Sequence, residues 1–224
     1  TGWSGTPLGT STPLVSRPKT SAKTALVGFS LAGFVLPTIT TPQVYDGAVE
    51  IIGIAAISLD GLITRHDEEG TGFASPEDAQ FFRQVLKTFD CSLMGRRTYE
   101  VSRERILKSL TPERLRVVRT QHPESFVADA VRERLEFTSA PLSEVLNDLE
   151  ARGKQRCAVL GGTRIYSECL EQGLMNELWL TVEPIGFGSG KRLLEGDLDV
   201  RFSLKNVRHL SENTLLLEYK VIRQ

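Results

Sequence analysis

From Val49 onward, apolar positions alternate between short continuous runs and helical stripes. Residues 49–58 are almost continuously apolar, as expected of a central strand covered on both faces. Asp60-Gly61 then marks a turn. Ser75-Pro76-Glu77-Asp78 predicts a helix start, with Ser75 as N-cap, Pro76 at the first helical position and Asp78 at the third. Phe81, Phe82, Val85, Leu86 and Phe89 continue it at helical spacing. Leu93-Met94 is a short strand that stops at Gly95, and residues 97–107 predict a helix. Strands follow at 115–119 and 135–138. Leu142, Val145, Leu146 and Leu149 make one helix face, which Gly153 ends. A strand at 158–160 leads into a helix at 163–172, closed by Gly173. Along 177–183 the pattern alternates, with Leu178, Leu180 and Val182 facing inward and Trp179 and Thr181 on the other side. Residues 201–209 and 214–222 read as an antiparallel hairpin. The sum is an α/β fold: a mixed sheet, parallel in its middle, with helices on both faces.

Residues 1–45 follow another pattern. They hold no Asp or Glu, their only basic residues are Arg17, Lys19 and Lys23, and they are rich in Ser, Thr, Pro and Gly. Two readings stay open, an irregular arm packed on the domain surface and a transit segment. The apolar stretch 26–39 falls short of the roughly 20 residues that a bilayer span needs, so it reads as a buried strand pair or an interface segment. Ser30-Leu31-Ala32-Gly33-Phe34-Val35 echoes Ser58-Leu59-Asp60-Gly61-Leu62-Ile63, a match short enough for chance or a degraded duplication. The chain therefore divides into an N-terminal extension, 1–48, and one domain, 49–224, large enough to bury a real core.

Composition narrows the chemistry. The net charge is −1, with 40% hydrophobic and 25% charged residues, which gives no electrostatic case for nucleic acid as a partner. The three cysteines, Cys91, Cys157 and Cys169, form no C-x-x-C and read as buried apolar residues in a reducing compartment. His66, His122 and His209 lie far apart, so no metal site is expected. Cytoplasmic placement follows; an organelle matrix or stroma follows instead if the extension is a processed transit sequence.

Two glycine-marked turns carry the candidate chemistry. In Gly95-Arg96-Arg97-Thr98, glycine lets a ligand approach the backbone, the next N–H groups point outward, and the arginines suit phosphate. A tight turn with a solvated basic pair fits the same spacing. In Gly161-Gly162-Thr163, two glycines directly after a buried strand imply close approach by a ligand or by a neighbouring part of the chain. The third glycine of G-x-G-x-x-G is missing, which disfavours a Rossmann dehydrogenase. Arg119-Thr120, at another strand end, suits either an exposed strand end or an adenosine 2′-phosphate. Among acids, Asp60 follows the first central strand, where open α/β folds bind ligands. Asp78 is either a capping-box residue or a proton carrier facing the cleft. Glu183, before Pro184, reads as a solvated strand-end carboxylate. Gly186-Phe187-Gly188-Ser189-Gly190-Lys191 lacks the spacing of a phosphate loop and reads as a flexible loop beside the cleft.

Taken in order, Ala56-Ile57-Ser58-Leu59-Asp60-Gly61, Gly72-Phe73-Ala74-Ser75-Pro76-Glu77-Asp78, Met94-Gly95-Arg96-Arg97-Thr98-Tyr99, Val159-Leu160-Gly161-Gly162, Asn176-Glu177-Leu178 through Pro184, and Gly188-Ser189-Gly190 resemble the dihydrofolate reductase-like superfamily. The nearer branch is the reductase domain of bacterial riboflavin biosynthesis, and the likeness covers about residues 49–222. The resemblance implies a three-layer reductase that binds NADPH and a small, phosphorylated pyrimidine-type substrate, works by hydride transfer and forms a homodimer. By that resemblance Gly95, Arg96, Arg97 and Thr98 hold the phosphate end of the cofactor, with Arg119 and Thr120 near its 2′-phosphate. Gly161, Gly162, Thr163, Arg164 and Ile165 meet the pyrophosphate, and Tyr166 lies beside the cofactor. Asp60 borders the nicotinamide and substrate, and Asp78 falls where dihydrofolate reductases keep their substrate carboxylate. There are departures. The Asp-x-Pro-x-Leu-Thr-x-Arg-like segment of the riboflavin enzymes has no match in 103–116, and their Val-Asp-Glu is Met175-Asn176-Glu177 here. Two alternatives therefore stand beside the riboflavin-type reaction. One is a non-catalytic structural or assembly subunit attached to a larger complex through residues 1–48. The other is folate reduction, although the Trp-Asn-Leu-Pro context of those enzymes is missing.

Overall fold

The computed structural model describes residues 49–222. The arm, its apolar stretch, its echo of 58–63 and its suggested targeting or attachment roles lie outside the described residues. Within them, eight strands form one sheet in the order β4-β3-β2-β5-β1-β6-β8-β7. These are β1 (Glu50–Ile57), β2 (Cys91–Gly95), β3 (Leu115–Arg119), β4 (Leu135–Thr138), β5 (Arg156–Val159), β6 (Glu177–Val182), β7 (Arg201–His209) and β8 (Leu215–Ile222). Neighbours from β4 to β6 pair in parallel, whereas β8 runs antiparallel to both β6 and β7. The helices are α1 (Pro76–Val85), α2 (Arg96–Lys108), α3 (Leu142–Ala151) and α4 (Thr163–Glu171).

The period of two along each strand sorts its side chains onto two faces. Ile51, Cys91, Leu93, Leu115, Val117, Cys157 and Val159 join one core with residues of α3 and α4, such as Leu146 and Cys169. Their strand neighbours Ile52, Met94, Val118 and Ala158 turn to the other face, where Phe82 of α1 and Tyr99 and Ile106 of α2 meet them. This is the three-layer, dihydrofolate reductase-like architecture with its C-terminal hairpin. The three cysteines are free thiols and buried.

The faces alternate along β6 as expected, with Leu178 and Leu180 packed in one core and Trp179 in the opposite one, but burial is not one-sided. Thr181 is 1% exposed and Leu180 only half-buried. β6 lies inside the sheet between β1 and β8, so both of its faces are covered and no single side is the inner one. No helix among the described residues is long and apolar enough to cross a membrane.

Candidate active site

The carboxyl ends of the parallel strands open into a cleft of about 1520 Å³ walled by α1 and α2. Both glycine corners lie in it, side by side. Gly95 N–H donates to Gly161 O at 2.7 Å, and a Cβ built on Gly95 would sit 3.8 Å from Gly162 N. A Cβ on Gly162 would meet only Thr98 Oγ1, at 3.6 Å, so this glycine borders open space. Gly161 differs: its φ is +93°, and a Cβ there would lie 2.8 Å from the ring of Tyr166. The close approach that the double glycine implies is thus met at Gly161 by the chain itself. The peptide between the two glycines is cis.

The corners start α2 and α4, whose N-caps are Gly95 and Gly162. Neither helix has a side-chain cap or an acidic residue in its first turn. α1, by contrast, is capped by Ser75 and carries Glu77 and Asp78. Two adjacent helix N-termini with orphan N–H groups and no internal anion make a receptor for an external one.

The basic residues expected near the corners are placed differently from one another. Arg96 pairs with Glu100 at 2.8 Å and Arg97 with Glu69 at 2.6 Å, both on the surface, where such pairs contribute about 0–1 kcal/mol and yield readily to a ligand. Arg164 is exposed on the cleft wall in the first turn of α4. Arg119 turns its guanidinium to Glu168 Oε2 at 2.8 Å and Ala140 O at 3.1 Å. Thr120 is buried, and its hydroxyl accepts the His122 N–H. Both line the cleft, yet their polar atoms serve the protein. Ile165 packs beneath the corner, 3.2 Å from a Gly95 Cβ position. Thr163 donates its hydroxyl to Arg192 O at 2.6 Å. The Tyr166 hydroxyl donates to Ile54 O at 2.6 Å, and burial pushes its pKa up.

The two candidate acids separate. Asp60 does not line the cleft. Its carboxylate accepts from Ser58 Oγ at 2.6 Å and from the N–H groups of Phe187 and Gly188. The Ser58 hydroxyl, aided by those amides, holds its pKa down at about 2. Asp60 is therefore a carboxylate throughout the neutral range, and what it adds to stability is present above the ordinary value of 3.8 and is lost as pH falls from there through about 2. It acts as a clamp on residues 186–190. That loop, expected to be flexible, is instead bonded along its length, since His66 N–H donates to Ser189 O and Lys191 N–H to Thr64 Oγ1. In Asp60→Asn the amides of Phe187 and Gly188 should exchange with deuterium faster. Unchanged exchange there would mean that the other bonds suffice.

Asp78 is half-buried on the cleft wall. Its N–H donates to Ser75 Oγ at 3.2 Å, as a capping box requires, but its carboxylate does not return the bond to Ser75 N. Glu183 takes that place: Oε1 accepts from both Ser75 N and Ser75 Oγ at 2.8 Å, and Oε2 accepts from Thr214 Oγ1 at 3.1 Å. Glu183 is 2% exposed, so the expectation of a solvated carboxylate is corrected. The reason is tertiary: β6 ends directly beneath the start of α1. With the cap supplied by Glu183, the Asp78 carboxyl is left to the cleft. Burial raises its pKa, the charge of Glu183 adds to the rise, and a hydrogen bond with Thr181 opposes it.

The residue pattern did not single out the rest of the cleft's charge. Arg83, Arg105, Arg114 and Arg116 line it at the end away from the glycine corners. They come from two helices, a loop and a strand, and no local spacing links them. Among the described residues no cluster of His, Cys, Asp and Glu suits a metal ion.

No curated protein has a sequence that matches this chain. Solved structures share its fold. A RibD of Acinetobacter baumannii is 18% identical over 80% of this chain and 59% of its own, with a TM-score of 0.63. A pyrimidine reductase-like protein of Corynebacterium diphtheriae is 18% identical over 79% of this chain and 93% of its own, at 0.62. A dihydrofolate reductase of Enterococcus faecalis complexed with NADP(H) is 20% identical over 77% and 96%, at 0.53. The family profile described as the RibD C-terminal domain matches residues 50–216, most of the described chain, and the protein belongs to that family.

Proposed function

We propose that this protein is an NADPH-dependent reductase of a small phosphorylated, pyrimidine-type substrate, as in riboflavin biosynthesis. One observation carries the reading: two helix N-termini without internal caps or acids sit side by side on the cleft floor, at Gly95 and Gly162. A dinucleotide with several phosphates suits such a pair. The A. baumannii RibD and the NADP(H)-bound dihydrofolate reductase, which share the fold, support the choice of cofactor and reaction class.

When bound, NADPH supplies the hydride. The orphan N–H groups at the starts of α2 and α4 bind its phosphates, and Thr98 and the exposed Arg164 lie within the same corner region. Arg96 and Arg97 can exchange their surface carboxylates for phosphate. α1 and α2 wall the cleft. Asp78 would hold a proton on the cleft wall and would be the group to supply it to the substrate. Its raised pKa favours the protonated acid, so activity is full below that pKa and falls as pH rises through it. Asp78→Asn should lower kcat about hundredfold and abolish that limb of the pH profile, with NADPH affinity changed by less than about twofold. An unaltered profile would remove Asp78 from the reaction.

Titration of the full chain with NADPH, followed by nucleotide fluorescence and by heat, tests the reading itself. Saturation is expected below millimolar cofactor; no signal at millimolar NADPH would overturn it and favour the structural-subunit alternative. Dihydrofolate serves as the control substrate, and its rapid turnover would shift the assignment to folate reduction.

A further inference from the structure

α2 starts at the Gly95 corner, and little apolar packing holds it there. Of its 13 residues only Tyr99 and Ile106 are buried. Its first turn has no side-chain cap. The pairs that Arg96 makes with Glu100 and Arg97 with Glu69 lie on the surface, where they fix a helix poorly. Tyr99 is the one buried side chain of that turn, at 0% exposure. Yet a receptor made of backbone N–H groups needs its geometry held to within about 0.5 Å.

The mooring comes from the connection between β3 and β4. The Tyr99 ring stands edge-on to Phe126 at 5.7 Å and to Phe137 at 5.0 Å, and those two rings stack on each other. Its hydroxyl donates to Asp129 Oδ2 at 2.7 Å. Arg103, one turn further along α2, donates Nε to the same oxygen at 2.6 Å and Nη2 to Asp129 Oδ1. Asp129 is 8% exposed, and its own N–H donates to Phe126 O at 3.0 Å. One carboxylate thus ties two successive turns of α2 to a segment that the aromatic stack already holds. A two-pronged arginine–carboxylate pair is directional, and charge assistance strengthens it. The hydrogen bonds from Arg103 hold the Asp129 carboxyl below its ordinary range, and burial pushes the Tyr99 hydroxyl up. A charged acceptor and a neutral donor therefore persist across neutral pH.

Tyr99, Arg103 and Asp129 do not line the cleft, whereas Thr98, next to Tyr99, does. Whatever the three do for a ligand, they do through α2. We propose that Asp129 is a positioning residue: through Tyr99 and Arg103 it fixes the first turn of α2, so that the N–H groups at the Gly95 corner stay aimed at an anion. The identity of that anion as a cofactor phosphate rests on the reductase reading; the fixing of the corner does not.

The test titrates NADPH by nucleotide fluorescence and inorganic pyrophosphate by calorimetry into the full chain. Asp129→Ala, Tyr99→Phe and Arg103→Gln are compared with the unaltered protein, at a temperature where circular dichroism shows each of them folded. Val145→Ala, which opens a cavity in the core beneath α3, is the control for lost stability alone. All four variants should melt at a lower temperature. Asp129→Ala should weaken both ligands about tenfold, and Tyr99→Phe and Arg103→Gln about fivefold each. Val145→Ala should weaken neither. Tyr99→Phe changes no charge, so its loss of affinity reports position rather than electrostatics. If Asp129→Ala fails to fold, the other two carry the result, since Tyr99→Phe keeps the packed ring and the Arg103 side chain is 53% exposed. Lower melting temperatures with both affinities unchanged would leave the clamp purely structural and overturn the proposal. An equal loss of affinity in Val145→Ala would overturn it too. If NADPH gives no signal while pyrophosphate still depends on Asp129 and Tyr99, the reductase reading falls and the positioning role stands. If neither ligand binds the unaltered protein, both fall.

Discussion

Gly161→Val should cost the domain about 4 kcal/mol, the sum of a strained left-handed backbone and an overpacked core. The glycine has φ +93°, and the new Cβ would lie 2.8 Å from Tyr166 Cε2 and 3.1 Å from its hydroxyl. Tyr166 cannot give way, because its ring is buried and its hydroxyl is tied to Ile54 O at 2.6 Å. Thermal unfolding should shift down by about 10 °C for a domain of this size. A shift under about 2 °C would show that the corner relaxes. Gly162→Ala is the informative contrast. Its Cβ meets only Thr98 Oγ1, at an ordinary 3.6 Å, so stability should change by less than about 1 kcal/mol. The methyl group would nevertheless stand on the open side of the corner. NADPH affinity should fall about tenfold or more, measured by the same fluorescence titration. A Gly162→Ala protein that melts normally and binds NADPH normally would count against the nucleotide site, and a purely structural subunit would give that outcome.

Glu183→Ala should be comparably severe, about 4 kcal/mol by urea unfolding, since it strands three donors of which two are bonded at 2.8 Å. Glu183→Gln keeps the shape and one acceptor oxygen and should cost about 1–2 kcal/mol. It also removes a charge that raises the Asp78 pKa. The activity limb assigned to Asp78 should therefore move to lower pH in Glu183→Gln. That separates a link to Asp78 from simple loss of stability, which would reduce activity at every pH alike. An unmoved limb would confine Glu183 to capping α1.

Much of the fold was legible because local patterns and tertiary demands agreed. Ser75-Pro76-Glu77-Asp78 announced α1, and the Asp78 amide does bond the Ser75 hydroxyl. The strand at 115–119 and the hairpin from 201 match β3, β7 and β8 within a residue. The alternation along β6 gave the two faces correctly but not their burial, because a strand inside the sheet is covered on both sides. Glu183 misled because nothing adjacent in sequence shows that it ends beneath the start of a helix about a hundred residues earlier. The loop after Pro184 read as flexible because its glycines allow freedom. The bonds from Asp60 that remove that freedom are long-range.

By itself the sequence determined the strands, the helices and the two glycine corners, since periodicity, caps and glycine act over a few residues. It also carried the ordered motifs of the RibD C-terminal domain family. Only the tertiary structure decided what those parts do together. It set the corners against each other, gave the capping role to Glu183 and so left Asp78 to the cleft, and made Asp60 a clamp. It also gathered arginines from α1, α2 and β3 at one end. Hydrogen bonds and charges act through space, and which groups come within their reach is set by strand order, which no stretch of neighbouring residues records.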